Sequence, residues 1–224
     1  MKSIMKKGAL PIVAVMLVVL GAVLFGGKHY TLVSVLIAAA ACVGFALSFE
    51  KKSLTSRYAV LTAVMTALSV AGRFIFAPIP AFKPMTAIVI LSGMYLSPEC
   101  GFLTGALTAL VSNMYFGHGA WTPFQKLAWG IIGLFAGILA EPMKKNRLLL
   151  LIYGAFSGAF YSMIMDTWTV LWYSGDVSGS LYKAALLSAL PFTAVYAASN
   201  VVFQLLTARS FGRKLGRAVT LIER

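Results

Sequence analysis

Long apolar segments alternate with short polar ones along the chain, and this alternation predicts membrane-spanning helices. A spanning helix needs about 20 predominantly apolar residues, and the chain contains eight candidate segments. They are Gly8–Gly26, Tyr30–Phe49, Tyr58–Ala77, Pro84–Ser97, Gly101–Phe116, Pro123–Ala140, Leu148–Tyr173 and Tyr182–Ala208. The fourth and fifth are short and are separated by a tight break at Ser97–Pro98–Glu99, so they are either tilted short helices or a re-entrant pair.

The charged linker Glu50–Arg57 divides these segments into two groups. Residues 1–52 are predicted to form a two-helix membrane hairpin, because no clean signal-peptide cleavage site precedes Lys28. Residues 53–224 are predicted to form a six-helix membrane body with a basic C-terminal tail. The expected fold is therefore an all-α, polytopic membrane helix bundle with an N-terminal two-helix extension.

The basic tail carries four apolar residues that would share one face of a helix, namely Phe211, Leu215, Val219 and Ile222. Such a face suits binding to an anionic inner leaflet. The alternative is a frayed basic end that only fixes the topology.

Basic residues lie mostly on one side of the predicted membrane. With both termini in the cytoplasm, the inner side holds 14 of the 19 Lys and Arg: Lys2, Lys6, Lys7, Lys51, Lys52, Arg57, Lys144, Lys145, Arg147, Arg209, Arg213, Lys214, Arg217 and Arg224. The outer side holds the other 5, which are Lys28, Arg73, Lys83, Lys126 and Lys183. This asymmetry follows the positive-inside rule and predicts a multi-pass protein of the bacterial plasma membrane with cytoplasmic termini.

Composition excludes several functions. The chain is 60% hydrophobic and 11% charged, whereas soluble domains carry about 25% charged residues. The net charge of +13 is distributed between apolar segments rather than along one face, so no nucleic-acid binding is expected. The sequence has neither H-E-x-x-H nor G-x-x-x-x-G-K-[ST], so we expect no enzyme, no metal site, no cofactor and no ATPase within this chain.

The third segment carries a small-residue stripe in which Ala59, Ala63, Ala67 and Ala71 recur every fourth residue. Steps of four keep side chains on one face of a helix, and small residues there allow another helix to approach closely in lipid. Two interpretations follow. The stripe either packs inside the same protein or forms a shallow surface on which a partner helix docks.

Aromatic and polar side chains gather near the outer ends of three separate segments. They are Arg73, Phe76 and Lys83 in the first, Asn113, Tyr115, His118, Trp121, Gln125 and Trp129 in the second, and Asp166, Trp168 and Trp172 in the third. Aromatic walls with a few polar groups are typical of a small-molecule pocket. These residues are therefore the candidate ligand-binding residues of a site that opens outward.

Simpler explanations exist for several of them. Trp and Tyr concentrate at membrane interfaces in any case, and Arg73 and Lys126 can extend toward lipid headgroups. Asp166 lies inside the seventh segment, where a carboxylate is costly in lipid, so it should face a cavity or pair with Arg73, Lys83 or Lys126. Asn200 raises the same question in the last segment.

The six-helix body, its alanine stripe and its proline-rich loop after Arg73 resemble the substrate-binding (S) components of energy-coupling factor (ECF) vitamin transporters. The resemblance covers about residues 53–208. The stretch GAWTPFQKLAWGIIGLFAG, at positions 119–137, is similar to a segment of members assigned to cobalamin. The two additional N-terminal helices depart from the six-helix pattern of the family.

The resemblance implies a substrate-capture subunit of an ABC-type importer that binds a vitamin, with cobalamin favoured, at its extracytoplasmic face. Its partners would be a transmembrane coupling protein and two ATP-binding subunits. Ala59, Ala63, Ala67 and Ala71 would meet the coupling protein, and the first outer loop would act as a lid. The alternative hypothesis is a stand-alone secondary transporter of a small solute.

Overall fold

Five of the six predicted helices of the body begin and end close to the predicted boundaries, whereas the last one extends beyond Ala208 to Ile222. The structure is a computed structural model that describes residues 56–174 and 179–222, and the predicted hairpin over 1–52 lies outside these residues. The helices are α1 (Ser56–Ile75), α2 (Met85–Tyr95), α3 (Pro98–Phe116), α4 (Thr122–Ile138), α5 (Ala140–Lys145), α6 (Arg147–Ser174) and α7 (Gly179–Ile222). No strand occurs in the described ranges. The predicted all-α membrane bundle is confirmed.

Three of the described helices, α1, α6 and α7, are long and apolar enough to cross a membrane. The apolar helix α2 has only 11 residues, so it is about 16 Å long, roughly half the thickness of the hydrocarbon core. All of its residues from Met85 to Met94 are buried. Because the other helices surround it, α2 serves as the centre of the bundle.

The predicted break between α2 and α3 is confirmed. Ser97 has extended backbone geometry and its hydroxyl accepts a hydrogen bond from the backbone N–H of Cys100. Pro98 follows as the first residue of α3, a position where its missing N–H costs nothing. The chain therefore reverses within two residues, and α3 packs beside α2.

Glycine allows α3 and α4 to approach backbone to backbone. A Cβ atom added at Gly133 of α4 would collide with the backbone carbonyl of Gly101 of α3. One turn away, a Cβ atom at Gly105 would collide with the carbonyl of Trp129. This close approach, typical of small residues in membrane helix pairs, fixes the position of the second half of α4 relative to the first half of α3.

The described part of the body contains one helix more than the six predicted. The segment predicted as Pro123–Ala140 ends at Ile138, and Ala140–Lys145 forms the separate helix α5. The next helix, α6, starts after Asn146, whose side-chain carbonyl accepts hydrogen bonds from the backbone N–H groups of Leu148 and Leu149. The break between α4 and α5 was not predicted, because the apolar segment continues across it to Ala140.

The C-terminal tail is a helix that packs against the bundle. It continues α7 without interruption to Ile222, so it is not a frayed end. Leu215 is buried in a cluster with Met65 of α1 and Leu91 of α2, and Phe211 and Val219 pack against the same cluster. Phe211, Leu215 and Val219 therefore cover the protein's own core, which neither interpretation of the tail, binding to the inner leaflet or a frayed end, had included.

Candidate functional site

A cavity of about 160 Å³ lies where the end of α1, the following loop and the start of α2 meet α4, α6 and α7. Its lining consists of Arg73, Ala81, Lys83, Met85, Thr86, Gln125, Trp129, Tyr161, Tyr196 and Asn200. Four of the sequence-predicted residues are among them: Arg73, Lys83, Gln125 and Trp129. The cavity therefore joins residues that are up to 127 positions apart in the chain, counted from Arg73 to Asn200.

Arg73, two residues before the end of α1, is held in place by side chains of α3. Its Nη1 atom donates hydrogen bonds to the hydroxyl of Ser112 and, at 2.7 Å, to the Oδ1 atom of Asn113. The guanidinium carbon lies 4.6 Å from the ring centroid of Phe116 and 5.8 Å from that of Trp129, within the range of cation–π attraction. These contacts orient the cation toward the protein interior.

Asn113 connects Arg73 to the rest of the site. It is fully buried, and its Nδ2 atom donates to the hydroxyl of Thr122 at 3.1 Å and to Oε1 of Gln125 at 2.7 Å. Gln125 in turn donates from Nε2 to the hydroxyl of Tyr161 at 3.2 Å. One hydrogen-bonded chain thus links α1, α3, α4 and α6, and buried polar networks of this kind specify a unique arrangement when every member is satisfied.

Aromatic rings form a flat wall of the cavity. The rings of Trp129 and Tyr161 are stacked with centroids 4.8 Å apart and an interplanar angle of 10°. Tyr196 of α7 meets Tyr161 edge to face at 5.2 Å. The indole Nε1 atom of Trp129 is buried and has no hydrogen-bond partner among the described residues. An unmatched buried donor is costly, so this N–H is suited to a bound ligand.

The loop between α1 and α2 contributes to the cavity lining and is attached to α7 at two points. Both the backbone N–H and the backbone carbonyl of Lys83 hydrogen-bond to the hydroxyl of Ser199, at 2.9 and 3.0 Å. Phe76 and Phe82 pack on the ring of Phe203 at 5.0 and 5.1 Å. Phe76, predicted as a ligand contact, therefore anchors this loop and lies outside the cavity lining.

Two residues of this loop have unusual surroundings. Ala81 lines the cavity with φ of 59°, a left-handed conformation that is uncommon for a residue other than glycine. The Lys83 side chain donates to the carbonyl of Ile79 at 3.2 Å. Burial lowers the pKa of the Lys83 ammonium, and the nearby charge of Arg73 lowers it further.

The remaining predicted ligand-binding residues lie elsewhere. Tyr115 and His118 are exposed, and the ring of Tyr115 packs edge to face against Phe74 and Phe116. Trp121 and Trp172 both contact the ring of Trp168, at 5.7 and 6.1 Å, in an aromatic cluster separate from the cavity lining. Asn113 does not line the cavity, but it accepts a hydrogen bond from Arg73, which does.

Asp166 is half-buried and does not line the cavity. Its Oδ2 atom is buried and has no hydrogen-bond partner in the part of the chain that the structure describes. The predicted ion pair with Arg73 or Lys83 is not found there, because the side chain of Arg73 bonds Ser112 and Asn113 and that of Lys83 bonds Ile79.

Sequence reasoning did not assign Met85, Thr86, Tyr161 and Tyr196 to the site. Tyr161 and Tyr196 lie well inside the long apolar segments of α6 and α7, and their spacing carries no signal that distinguishes them from packing residues. Asn200 offered a signal, because an amide in the middle of a spanning segment needs a partner. Its Nδ2 atom donates to the carbonyl of Gly154 at 3.0 Å, and the residue also lines the cavity.

The alanine stripe lies on the outside of the bundle. Ala59, Ala63, Ala67 and Ala71 are all exposed. The last three line a groove of about 520 Å³ whose other residues are Thr66, Val70, Phe74, Leu107 and Val111. The interpretation that the stripe packs inside the same protein therefore does not hold for the described helices.

Comparison with known proteins identifies the family. Residues 53–202 match the family model described as ECF-type riboflavin transporter, S component. The chain belongs to this family of S components. It is therefore a substrate-capture subunit of an ECF importer and not an enzyme, as predicted, and it is a multi-pass membrane protein. The match gives no support to the preference for the cobalamin-type group.

The S component also has curated relatives. UPF0397 proteins from two strains of Aliivibrio fischeri are 30% identical over 152 residues, which cover 64% of this chain and 78% of each relative. A UPF0397 protein of Vibrio atlanticus is 28% identical over 156 residues, covering 66% of this chain and 81% of the relative. No solved structure matches this S component significantly.

Proposed function

We propose that this S component captures a small vitamin with a planar ring system in the cavity beside Trp129, at the extracytoplasmic face of the membrane. The observation that carries this proposal is the stacked pair of Trp129 and Tyr161 next to the fixed guanidinium of Arg73, all lining one cavity. A flat aromatic wall favours a flat ligand because ring faces attract in offset or stacked geometry. The flavin named by the family model is such a ring.

Cavity size favours a planar ring over cobalamin. The cavity measures about 160 Å³, and pockets for drug-sized ligands usually measure about 300–1,000 Å³. A modest outward movement of the loop before α2 would admit a ring of two or three fused cycles. A corrinoid is several times larger and would require the helices that line the cavity to separate.

The outward orientation of the cavity is supported by the basic residues that lie near one end of α2. Met85 and Thr86, at the start of α2, line the cavity. At the other end of α2, the ring of Tyr95 lies 5.4 Å from the ammonium of Lys144 and beside Gly212 of the basic tail. The basic clusters therefore lie at the end of the bundle remote from the cavity. By the positive-inside rule that end faces the cytoplasm, together with both termini.

The groove along the alanine stripe supports a docking site for the transmembrane coupling protein that would join this subunit to two ATP-binding subunits. Small side chains on an exposed membrane face let a partner helix approach closely. The groove contains no charged side chain, so a partner helix can leave it without breaking an ion pair. The groove lies on α1, which also provides Arg73 to the cavity.

The direct test is ligand binding by the purified full-length chain in lipid nanodiscs. We expect saturable binding of riboflavin or another planar vitamin. Trp129→Ala should weaken the affinity about tenfold to a hundredfold, because a stacked ring and its buried apolar area are lost. Phe156→Ala, which removes an exposed ring on α6, is the matched control. Binding of a corrinoid, with no binding of any planar vitamin, would contradict the proposal.

Reconstitution separates this function from that of a stand-alone secondary transporter. Uptake into liposomes should require the coupling protein, the ATP-binding subunits and ATP. Uptake by the purified chain alone, driven by an ion gradient, would instead identify a secondary transporter.

A further inference from the structure

We propose that the ligand of the cavity carries a negative charge, in the form of a carboxylate or phosphate attached to its ring system. This inference rests on the proposed function, because it names the class of planar molecule that the cavity accepts. The hydrogen-bonding groups and charges that surround the cavity support it.

Two cationic side chains line the cavity and no acidic side chain does. Arg73 and Lys83 make no ion pair with any described residue. The chain has only 6 Asp and Glu residues in total, and the three in the described ranges, Glu99, Glu141 and Asp166, all lie outside the lining. A partly buried cation without a counterion is costly, so an anion entering the cavity would be stabilised by both charges.

The uncommitted hydrogen-bonding groups are mostly donors. Arg73 has five N–H donors, and its two hydrogen bonds to Ser112 and Asn113 both use Nη1, which leaves Nε and Nη2 for a ligand. The ammonium of Lys83 uses one of its three donors on Ile79. The buried indole N–H of Trp129 has no partner in the described part of the chain. A donor-rich cavity of this kind matches a group that only accepts, such as a carboxylate or phosphate.

Lys83 offers the cleaner test of the two cations. Its backbone N–H and carbonyl hold the loop to Ser199, so replacing the side chain leaves this attachment in place. Arg73 also organises Ser112 and Asn113, and its replacement would disturb the protein interior. The matched control is Lys183→Gln, which removes an exposed lysine from α7.

The experiment compares probes that share a ring and differ in charge: riboflavin with riboflavin 5′-phosphate, and nicotinamide with nicotinate. The anionic member of any pair that binds should bind at least about tenfold more tightly, as expected for charge-assisted hydrogen bonds. Lys83→Gln should remove most of this preference, because one of the two cations of the lining is lost. Lys83→Arg and Lys183→Gln should retain the preference.

Equal or tighter binding of the neutral member would overturn the inference and leave the proposed function intact. A preference for the anionic member that is identical in Lys83→Gln and Lys183→Gln would support an anionic ligand and contradict its recognition by Lys83. If neither neutral nor anionic planar rings bind, the proposed function fails, and this inference fails with it. Thermal unfolding of each variant checks that the substitution leaves the fold intact.

Discussion

Helix α1 contributes to two regions that differ in almost every physical property. Near its end, Arg73 enters a cavity in which buried polar groups of four helices are hydrogen-bonded in series. Along its exposed face, Ala63, Ala67 and Ala71 line a groove with no charged residue. The first region fixes the positions of specific hydrogen-bonding groups, whereas the second region is an apolar groove without such groups arranged in series.

In the function that we propose, ligand capture and subunit docking are therefore assigned to two physically different regions of one small bundle. A polar network recognises a ligand because its donors are fixed before the ligand arrives, which reduces the entropic cost of binding. A shallow apolar face binds a helix through close packing alone, since lipid is as apolar as the partner. Substitutions in one region should therefore leave the function of the other largely unchanged.

The largest expected effect comes from filling the groove. In Ala63→Leu/Ala67→Leu, each leucine should cost about 1–3 kcal/mol of docking energy through overpacking, so ATP-dependent uptake should fall about a hundredfold or more. Ligand affinity of the isolated chain should stay within about twofold of the wild type, because neither alanine lines the cavity.

The matched control for the groove is Ala194→Leu/Ala198→Leu, which adds the same bulk to two exposed alanines four residues apart on α7. Uptake should be retained in this variant. An equal loss in both double variants would show that bulk anywhere on the surface disturbs uptake, and the docking assignment would fail.

The next largest effect should follow from removing the centre of the polar network. Asn113→Ala leaves Arg73, Thr122 and Gln125 without a shared partner, which should lower the free energy of unfolding by about 1–3 kcal/mol. Ligand affinity, measured by isothermal titration, should fall about tenfold or more because Arg73 is no longer oriented.

Asn146→Ala provides a control of similar chemistry. It removes the hydrogen bonds to Leu148 and Leu149 at the start of α6, which should also destabilise the protein, by about 1 kcal/mol. Its ligand affinity should be unchanged. If both asparagine variants lose affinity in proportion to their stability, the network has no specific role in ligand binding.

A smaller effect is expected from loosening the loop over the cavity. Ser199→Ala removes both hydrogen bonds to the backbone of Lys83, while Phe203 still holds Phe76 and Phe82. Stopped-flow measurements should show ligand dissociation accelerated about three- to tenfold, since each hydrogen bond contributes about 0.5–1.5 kcal/mol. Ser188→Ala, on the exposed part of α7, should dissociate at the wild-type rate, and equal rates in both variants would exclude a role of the loop as a lid.

The smallest effect concerns the pH dependence of anion binding. Burial and Arg73 lower the pKa of Lys83 in the free protein, and a bound anion would raise it. Affinity for an anionic ligand should therefore be constant below the lowered pKa of the free protein and decline as the pH rises through it toward the pKa of the complex. Affinity for a neutral ligand should not show this decline.

Lys83→Gln is the control for the pH series. A decline that persists in this variant would originate from other titratable residues of the lining, namely Tyr161 or Tyr196, and would contradict the assignment to Lys83.

Some residues of the site could be predicted because their residue types are unusual at their positions in or beside apolar segments. Arg73 and Lys83 are charges near the ends of apolar segments, and Gln125 and Trp129 are four residues apart at the start of a helix. Each is unexpected in lipid and therefore needs a partner. Tyr161 and Tyr196 are tolerated in a spanning helix without any partner at all, so nothing in their local sequence assigns them to a cavity.

The same contrast explains the sequence-predicted residues that lie apart from the cavity. Trp168 and Trp172 are close in sequence to Tyr161 on α6, but they contact each other and Trp121. Proximity to the outer rim was the only signal available for them. A position near the outer rim indicates how deep a residue lies in the membrane. It does not indicate in which direction the side chain points from the helix.

The sequence alone determined that this chain is an all-α membrane bundle, where α2 and α3 are separated and which small residues recur along α1. These properties are local, because hydrophobicity, proline and residue spacing act within one helix. The tertiary structure decided which side chains share the cavity, and it placed the amphipathic tail on the core. Both depend on the rotation of each helix about its axis, which is set by packing between distant segments, such as the backbone contact of Gly101 with Gly133.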